Sequence, residues 1–480
     1  MYFVAIAILV ILITLIIQNC RRPKNFPPGP LNLPLIGSWY DIPARGVETK
    51  IPGWRKRYGN IIGLKIGFRY LVIVCGNEDI VAGLKHPNFQ SRLHTSTLTD
   101  RSFRKVLGIF FGDGDQWSEV KRFTLRFLGQ VSNNRLEVVM QEEMSDWFKA
   151  VTSGQVHEIN SKFLDFSIKS VINVFIGKNG ESHYEEVDKI RELTYRAFKN
   201  GRITGIEIVH PQMKFFFSSE QKVAAVTYTQ KFFRRVIAER RKTFNPNNIV
   251  DFIDAFLLEQ QKEKAESPNS NYYSDEELQS VLLDLVQAAS ESSANTAGFV
   301  MMYVAMNPQV QDKLHQELDR VVGRERFPTL DDRPNLPYVD AVLSETMRIN
   351  PVSGIGAGHI ATKDTDFANY RLPQGTLLFF GHQDTLNDPT IFNEPKQFRP
   401  ERFLKKEEIK IKMTNFGLGK RACIGEILAK NSLYLFIAYL FQKYSLSFPK
   451  GYEHPDTTPE YGFINSPKPY KLILTERPLK

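Results

Sequence analysis

The stretch Phe416-Gly-Leu-Gly-Lys-Arg-Ala-Cys-Ile-Gly425 sets one cysteine in a glycine-rich loop ahead of an apolar helical run, Ile424 to Phe441. A cysteine there sits at a helix N-terminus, where unpaired amides and the helix dipole favour the thiolate, and a thiolate binds metal. Gly419 can take backbone angles closed to other residues, and Gly425 lets a neighbour approach closely. Arg421 adds a cation that can reach a carboxylate, and Phe416 adds a flat apolar lid. Together they suit a large flat cofactor better than a small ion. Only Cys20 and Cys75 accompany Cys423, all widely separated, which argues against a disulfide framework and against a multi-cysteine zinc site.

The pattern F-x-x-G-x-R-x-C-x-G over these residues resembles the haem-binding signature of the cytochromes P-450. The chain is similar to microsomal animal members over essentially its whole length, and Ala294-Asn-Thr-Ala-Gly-Phe299 is similar to arthropod ones. The resemblance implies haem b, iron protoporphyrin IX, with Cys423 as the axial iron ligand. It implies that Phe416 and Arg421 flank that cofactor. It also implies that Trp117, Lys121 and His359 meet the haem propionates. Trp117-Ser-Glu-Val-Lys121 resembles the family's W-x-x-x-R, with lysine where arginine is usual. Asn415 stands where many members have proline, which is expected to loosen the start of the loop.

Further motifs follow from the same resemblance. Glu345-Thr-Met-Arg348 precedes Pro400-Glu-Arg-Phe403, so Glu345, Arg348 and Arg402 match the family's buried Glu–Arg–Arg network. Ala288-Ala-Ser-Glu-Ser-Ser293 aligns with A-G-x-[DE]-T-[TS]. Glu291 is then expected to draw protons from solvent and Ser292 to hydrogen-bond the oxygen substrate. Ser292 replaces a threonine and Ala289 a glycine, both of which bear on oxygen activation. Phe215 to Phe217 lies where members dip a loop into lipid. Ser353 to Ala357 and Phe463 to Asn465 match pocket-lining regions and are small or apolar, as a lipophilic ligand requires. Lys405, Lys406, Lys410, Lys412, Lys420 and Lys430 are expected to build a basic face on the cysteine side, and the resemblance implies a flavoprotein reductase with an acidic docking face as its partner.

These groups need a scaffold. The chain has 480 residues, 42% of them hydrophobic, and no composition break after residue 30. Tyr2 to Ile17 is uncharged and apolar, and Arg21, Arg22 and Lys24 follow it. The positive-inside rule then keeps everything after residue 20 in the cytosol. A cleaved signal peptide is the alternative, weakened by the missing basic n-region. The expected organisation is a transmembrane signal-anchor over 1–20, a basic, proline-rich hinge over 21–34 and a catalytic domain over 35–480, at the endoplasmic reticulum membrane. The net charge of +9 suits lipid or an acidic protein, and no basic stripe with interleaved aromatics points to nucleic acid.

Ile61 to Ile66 and Tyr70 to Cys75 read as strands joined at Gly67. Leu136 to Val151, Phe163 to Phe175 and Val223 to Arg241 read as helices, and Glu259 to Tyr273 as an exposed loop. Ser274-Asp-Glu-Glu277 is a capping box that opens a long helix to Met306, followed by a helix over Gln309 to Val322. Pro337 starts the helix carrying Glu345. Short strands are expected at Thr376 to Phe380 and Tyr470 to Leu474. The fold class is mainly α with a minor β part, the cytochrome P-450 fold, preceded by one N-terminal transmembrane helix. The implied function is a haem-thiolate monooxygenase that inserts one atom of O₂ into a lipophilic molecule, with electrons from NADPH through a reductase. The alternatives are a haem-thiolate isomerase or lyase acting on peroxides, and a haem-binding protein without turnover.

Overall fold

The computed structural model describes residues 20–43, 46–94, 99–131, 133–159, 165–177, 183–199, 220–405, 409, 411–452 and 454–478. The expected span Tyr2 to Ile17, the Phe215 to Phe217 loop, Lys406 and Lys410 lie outside these residues. Among the described residues no helix is long and apolar enough to cross a membrane.

The fold is mostly helical. In chain order the helices are α1 (Ile51–Tyr58), α2 (Asn77–Lys85), α3 (Gly114–Gln130), α4 (Asn133–Ala150), α5 (Phe166–Phe175), α6 (Tyr184–Lys199) and α7 (Glu220–Thr243). Then come α8 (Phe252–Glu266), α9 (Asp275–Met306), α10 (Pro308–Val321), α11 (Pro337–Ile349), α12 (His382–Leu386) and α13 (Glu426–Lys443). The expected loop over Glu259 to Tyr273 is corrected, because α8 runs on to Glu266. Its tail, Glu-Gln-Gln-Lys-Glu-Lys-Ala-Glu, is built of strong helix formers and stays helical although it buries little.

Helix α9 spans 32 residues, about 48 Å at 1.5 Å per residue. Ser274 caps it by accepting from the Glu277 amide at 3.1 Å. Asn307 and Pro308 end it and start α10. Val300, Met301 and Val304 of α9 share the main core with Leu435, Ile437 and Phe441 of α13.

The sheet of β1 (Ile61–Ile66), β2 (Arg69–Val74), β7 (Leu377–Phe380) and β4 (His359–Ile360) has the order β1-β2-β7-β4. β2 and β7 run parallel, with Leu71 opposite Leu377, and β4 pairs antiparallel to β7. The imperfect alternation of β1 and β2 has a cause: both faces are buried. Ile62, Leu64 and Ile73 pack toward α1, while Ile61, Val72 and Val74 pack toward α2. Among the described residues two small sheets complete the β part. β3 (Val156–Ile159), β9 (Tyr470–Glu476) and β8 (Tyr444–Ser447) form one, with β9 central. β5 (Thr365–Phe367) and β6 (Tyr370–Leu372) form the other.

The proline-rich segment is docked as well as stiff. Arg22 donates to Pro27 O at 2.6 Å and to Pro30 O at 2.5 Å, and the Gly63 amide of β1 donates to Pro28 O at 2.7 Å. A Cβ on Gly29 would lie 1.9 Å from Gly63 O, so only glycine fits this contact.

Candidate active site

The cysteine loop is built on backbone hydrogen bonds. The Cys423 amide donates to Phe416 O at 2.7 Å, and the Gly417 amide to Thr414 O at 2.8 Å. Gly419 holds φ +72°, and a Cβ there would press on Leu84 O at 3.0 Å. Asn415 does the opposite of loosening the loop: its Nδ2 donates to Met347 O at 2.6 Å and ties the loop to α11. Cys423 precedes the N-cap Gly425 of α13, as expected. It is exposed, yet enough protein surrounds it that burial raises its thiol pKa. The neighbouring Glu426 also raises it, and a hydrogen bond from the Gly425 amide only partly offsets this. Burial thus outweighs the acidifying pull of the helix end and of Lys121, and the thiol pKa lies above its ordinary value. A bound metal cation is what would deprotonate it.

Above the loop lies a cationic rim. Arg421 is buried, pairs with Asp113 and stacks on Trp117, with Cζ 3.7 Å from the ring centroid. The Trp117 indole N–H donates to Ile109 O at 2.9 Å, and so is committed to the protein itself. Lys121 donates to Lys420 O and lies 5.2 Å from the Trp117 ring centroid. His359, placed by β4, is buried with Nδ1 2.6 Å from Phe89 O. A carbonyl only accepts, so Nδ1 carries the hydrogen. Burial, then the charges of Arg92 and Arg421, push the His359 pKa down to about 3, so the ring is neutral and its Nε2 bears no proton.

Sequence reasoning missed three members of this rim. Arg92 donates to Ala357 O at 3.1 Å and to Gly358 O at 3.0 Å, and burial lowers its pKa to about 9. Asp113 accepts from Ser91 Oγ at 2.5 Å and from the Arg92 amide at 3.2 Å, besides pairing with Arg421. Burial pushes its pKa up, but His94, Ser91 and Arg421 together hold it below the usual carboxylate range. His94 lies 3.2 Å from Asp113, which raises the histidine pKa. All three sit in irregular segments without periodicity. The one available signal was an Asp-Gly pair just before Trp117.

Glu291 and Ser292 lie in the middle of α9. Helix residues Glu277 to Val286 and Ala294 to Ala305 are buried, whereas Gln287, Ala288, Ala289, Glu291, Ser292 and Ser293 are partly or fully exposed. A helix through a domain should be most buried at its centre, so this stretch opens onto a cleft. Ser292 Oγ donates to Ala288 O at 2.6 Å. The expected segments Ser353 to Ala357 and Phe463 to Asn465 lie side by side: a Cβ on Gly354 would be 2.9 Å from Asn465 Nδ2, the Asn465 amide donates to the adjoining Val352 O at 2.7 Å, and Phe463 packs on Phe110. A separate surface cavity of about 390 Å³, lined by Arg234, Ile237, Arg241 and Gln279, contains none of these residues.

Behind the cysteine loop, Glu345 is wholly buried. It accepts from Arg348 Nε at 2.7 Å and Nη2 at 2.9 Å, from Arg402 Nε at 3.2 Å and from the Arg399 amide at 3.0 Å. Arg348 and Arg402 spend their other donors on Leu386, Pro395, Asn393 and Glu394 carbonyls. The expected three-residue network is thus present.

The rim fits the expected haem. Arg92 Nε and Arg421 Nη1 are buried without an acceptor among the described residues. Among the described residues the two guanidiniums share the carboxylate of Asp113, and burial, then the charges of both, lower the pKa of nearby Lys121, which leaves positive charge over. Two orphaned donors and that surplus suit a ligand with two carboxylates, held beside a thiol that accepts iron.

The cytochrome P450 family pattern matches residues 27–474. The farnesoate epoxidase of Bombyx mori is 31% identical over 492 aligned positions, covering 97% of each chain. Cytochrome P450 2B2 of Rattus norvegicus is 29% identical over 491 positions and 98% of each chain. Cytochrome P450 2J2 of Homo sapiens is 31% identical over 443 positions, 89% of this chain and 87% of that one. A match of this extent, over a cysteine loop and cationic rim of this form, means that the chain belongs to the cytochrome P450 family of haem-binding monooxygenases.

Proposed function

We propose that this P450 is anchored in the endoplasmic reticulum membrane and oxidises a lipophilic small molecule with electrons relayed from NADPH by a flavoprotein reductase. The observation that carries the site assignment is the pair of orphaned guanidinium donors beside the Cys423 loop. When bound, haem activates O₂ for transfer of one oxygen atom, and thiolate ligation favours O–O cleavage. Cys423 is the iron ligand. Arg421, Arg92 and Lys121 hold the propionates, and Phe416 and Trp117 shape the ring's surroundings. His359 presents a bare Nε2, so a carboxylate approaching it would draw a proton onto that ring.

Glu291 draws protons from solvent, and Ser292 passes them on. Its oxygen can accept while its hydrogen points to Ala288 O, and rotation then delivers the proton. Phe110, Phe463 and the Ser353 to Ala357 segment give the cleft an apolar wall. The uncharged run Tyr2 to Ile17 supports the anchor over 1–20, with the hinge over 21–34 and the catalytic domain over 35–480. Lys405, Lys412, Lys420 and Lys430 support a docking face for an acidic reductase.

The test is reconstitution of the purified chain with haem, reductase and NADPH. The reduced, carbon monoxide-treated protein should show the red-shifted Soret band of thiolate-ligated haem, and Cys423→Ala should lose it while still folded. The turnover panel starts with farnesoate, the compound in the insect relative's name. Isotopic oxygen from O₂ should appear in product only when NADPH and reductase are present. Product formed from a peroxide without them would replace the monooxygenase reading with rearrangement.

A further inference from the structure

Helix α9 carries Glu277, Asp284 and Glu291 at seven-residue steps. Each step advances about 10.5 Å and nearly two turns, so the carboxylates follow one helix face with a drift of about 20° per step. Glu291 belongs to the proposed relay. Glu277 and Asp284 are buried and grip the start, Gly108 to Phe110, of the segment that runs on to Asp113. Asp284 Oδ2 accepts from the Ile109 amide at 2.8 Å and the Phe110 amide at 2.9 Å, while Oδ1 pairs with Arg101. Glu277 Oε1 accepts from the Gly108 amide at 3.1 Å, and Oε2 from Gln116 Nε2 at 3.1 Å. Gly108 has φ +81°, and a Cβ there would lie 2.4 Å from Asp284 Oδ2. The carboxylate occupies the place a side chain would need.

The gripped segment joins the apolar wall to the cationic rim. Phe110 meets Phe463 edge-on at 5.7 Å between centroids and Phe111 at 4.7 Å. Arg92 lies over Phe110 at 5.4 Å. Ile109 O accepts from Trp117, Phe111 O lies 2.9 Å from His94, and Asp113 holds Arg421. Buried carboxylates without partners are strongly disfavoured, and here the segment's own amides are among the partners, beside Arg101 and Gln116. The grip therefore fixes the backbone from which Phe110 projects.

We propose that Asp284, seconded by Glu277, is a specificity-determining positioning residue that sets where Phe110 stands against Phe463 and so how bulky an apolar molecule the cleft admits. This rests on the functional reading above. The experiment uses the full haem-loaded chain and three variants: Asp284→Ala, Asp284→Asn and Gly108→Ala. The last displaces the segment and leaves the carboxylate intact, which keeps the test open if Asp284→Ala does not fold. Hydrogen exchange of the 108–111 amides should accelerate about tenfold or more in Asp284→Ala, as loss of charged hydrogen bonds requires, with the α9 core unchanged. Spectral titration with imidazole, 1-phenylimidazole and 1-dodecylimidazole should show the ratio of bulky-probe to small-probe Kd altered about fivefold or more in Asp284→Ala and Gly108→Ala. Asp284→Asn should fall between. Unchanged exchange, or an unchanged Kd ratio in a variant whose segment has loosened, overturns the proposal. A missing thiolate-haem spectrum in the unaltered protein would instead overturn the functional reading, and exchange would separate the two failures.

Discussion

Arg421 stands with its guanidinium carbon 3.7 Å from the Trp117 ring centroid while pairing with Asp113. Stack and ion pair together hold a planar cation at one angle beside the cysteine loop. A partly desolvated cation–π contact is worth about 2 kcal/mol, and lysine cannot reproduce the two-pronged geometry. Arg421→Lys should therefore lose haem about tenfold faster to an excess of haem-free myoglobin, and Arg421→Ala faster still. Equal rates in all three proteins would remove Arg421 from the propionate-binding set.

Glu345 accepts four hydrogen bonds in a wholly buried position. Removing one partner of such a network strands the rest, at about 3–5 kcal/mol. Neither Arg348→Ala nor Glu345→Gln should yield soluble, haem-loaded protein. Recovery of either variant in that form would show that the network is dispensable.

Ser292→Ala removes the hydroxyl but leaves the cleft open. It should keep consuming NADPH while product per NADPH falls, whereas Glu291→Gln should slow product formation by about 10²-fold, the usual scale for a lost proton-transfer group. Ser292→Thr keeps the hydroxyl and adds a methyl that stiffens χ1, and should raise the yield above that of the unaltered protein. An unchanged product-to-NADPH ratio in Ser292→Ala would remove Ser292 from proton delivery, and an unchanged rate of product formation in Glu291→Gln would remove Glu291.

Much of this site was legible because it lies where chain order and local pattern agree. The cysteine loop is one continuous segment, and Glu345 and Arg348 share a helix face three residues apart. The capping box was half legible. Ser274 does accept from the Glu277 amide, but the Glu277 side chain turns to Gly108 and Gln116, a choice set by tertiary contact. Arg92, His94 and Asp113 were not legible, because their meeting depends on how an irregular segment folds across Gly108 to Asp113. Asn415 misled for a similar reason: its partner, Met347, is 68 residues away. The polar tail of α8 shows the opposite error, since a sequence without an apolar face can still be a helix when every residue favours one.

Glu277 also gives the protein a pH signature. Burial, reinforced by nearby Asp284 and only partly offset by the Gly108 amide, pushes its pKa up to about 8. An unfolded glutamate titrates near about 4.3, so between roughly pH 4.5 and 8 the folded chain keeps a proton that the unfolded chain has lost. Stability from this group is therefore full at low pH and falls as pH rises through that window. Glu48 and Glu143, both raised chiefly by burial to about 7, slope the same way. His359, at about 3, and His315 and His382, at about 4, are lowered chiefly by burial and act oppositely, adding stability as pH rises toward about 6.5 and nothing above it. Urea unfolding of the unaltered chain and of Glu277→Gln, compared at each pH, cancels every group but Glu277. The glutamine variant should gain about 2 kcal/mol relative to the unaltered chain between pH 6.5 and 8. A difference that stays flat across that range would mean that Glu277 is already ionised at its lower end, held charged by the amides it grips.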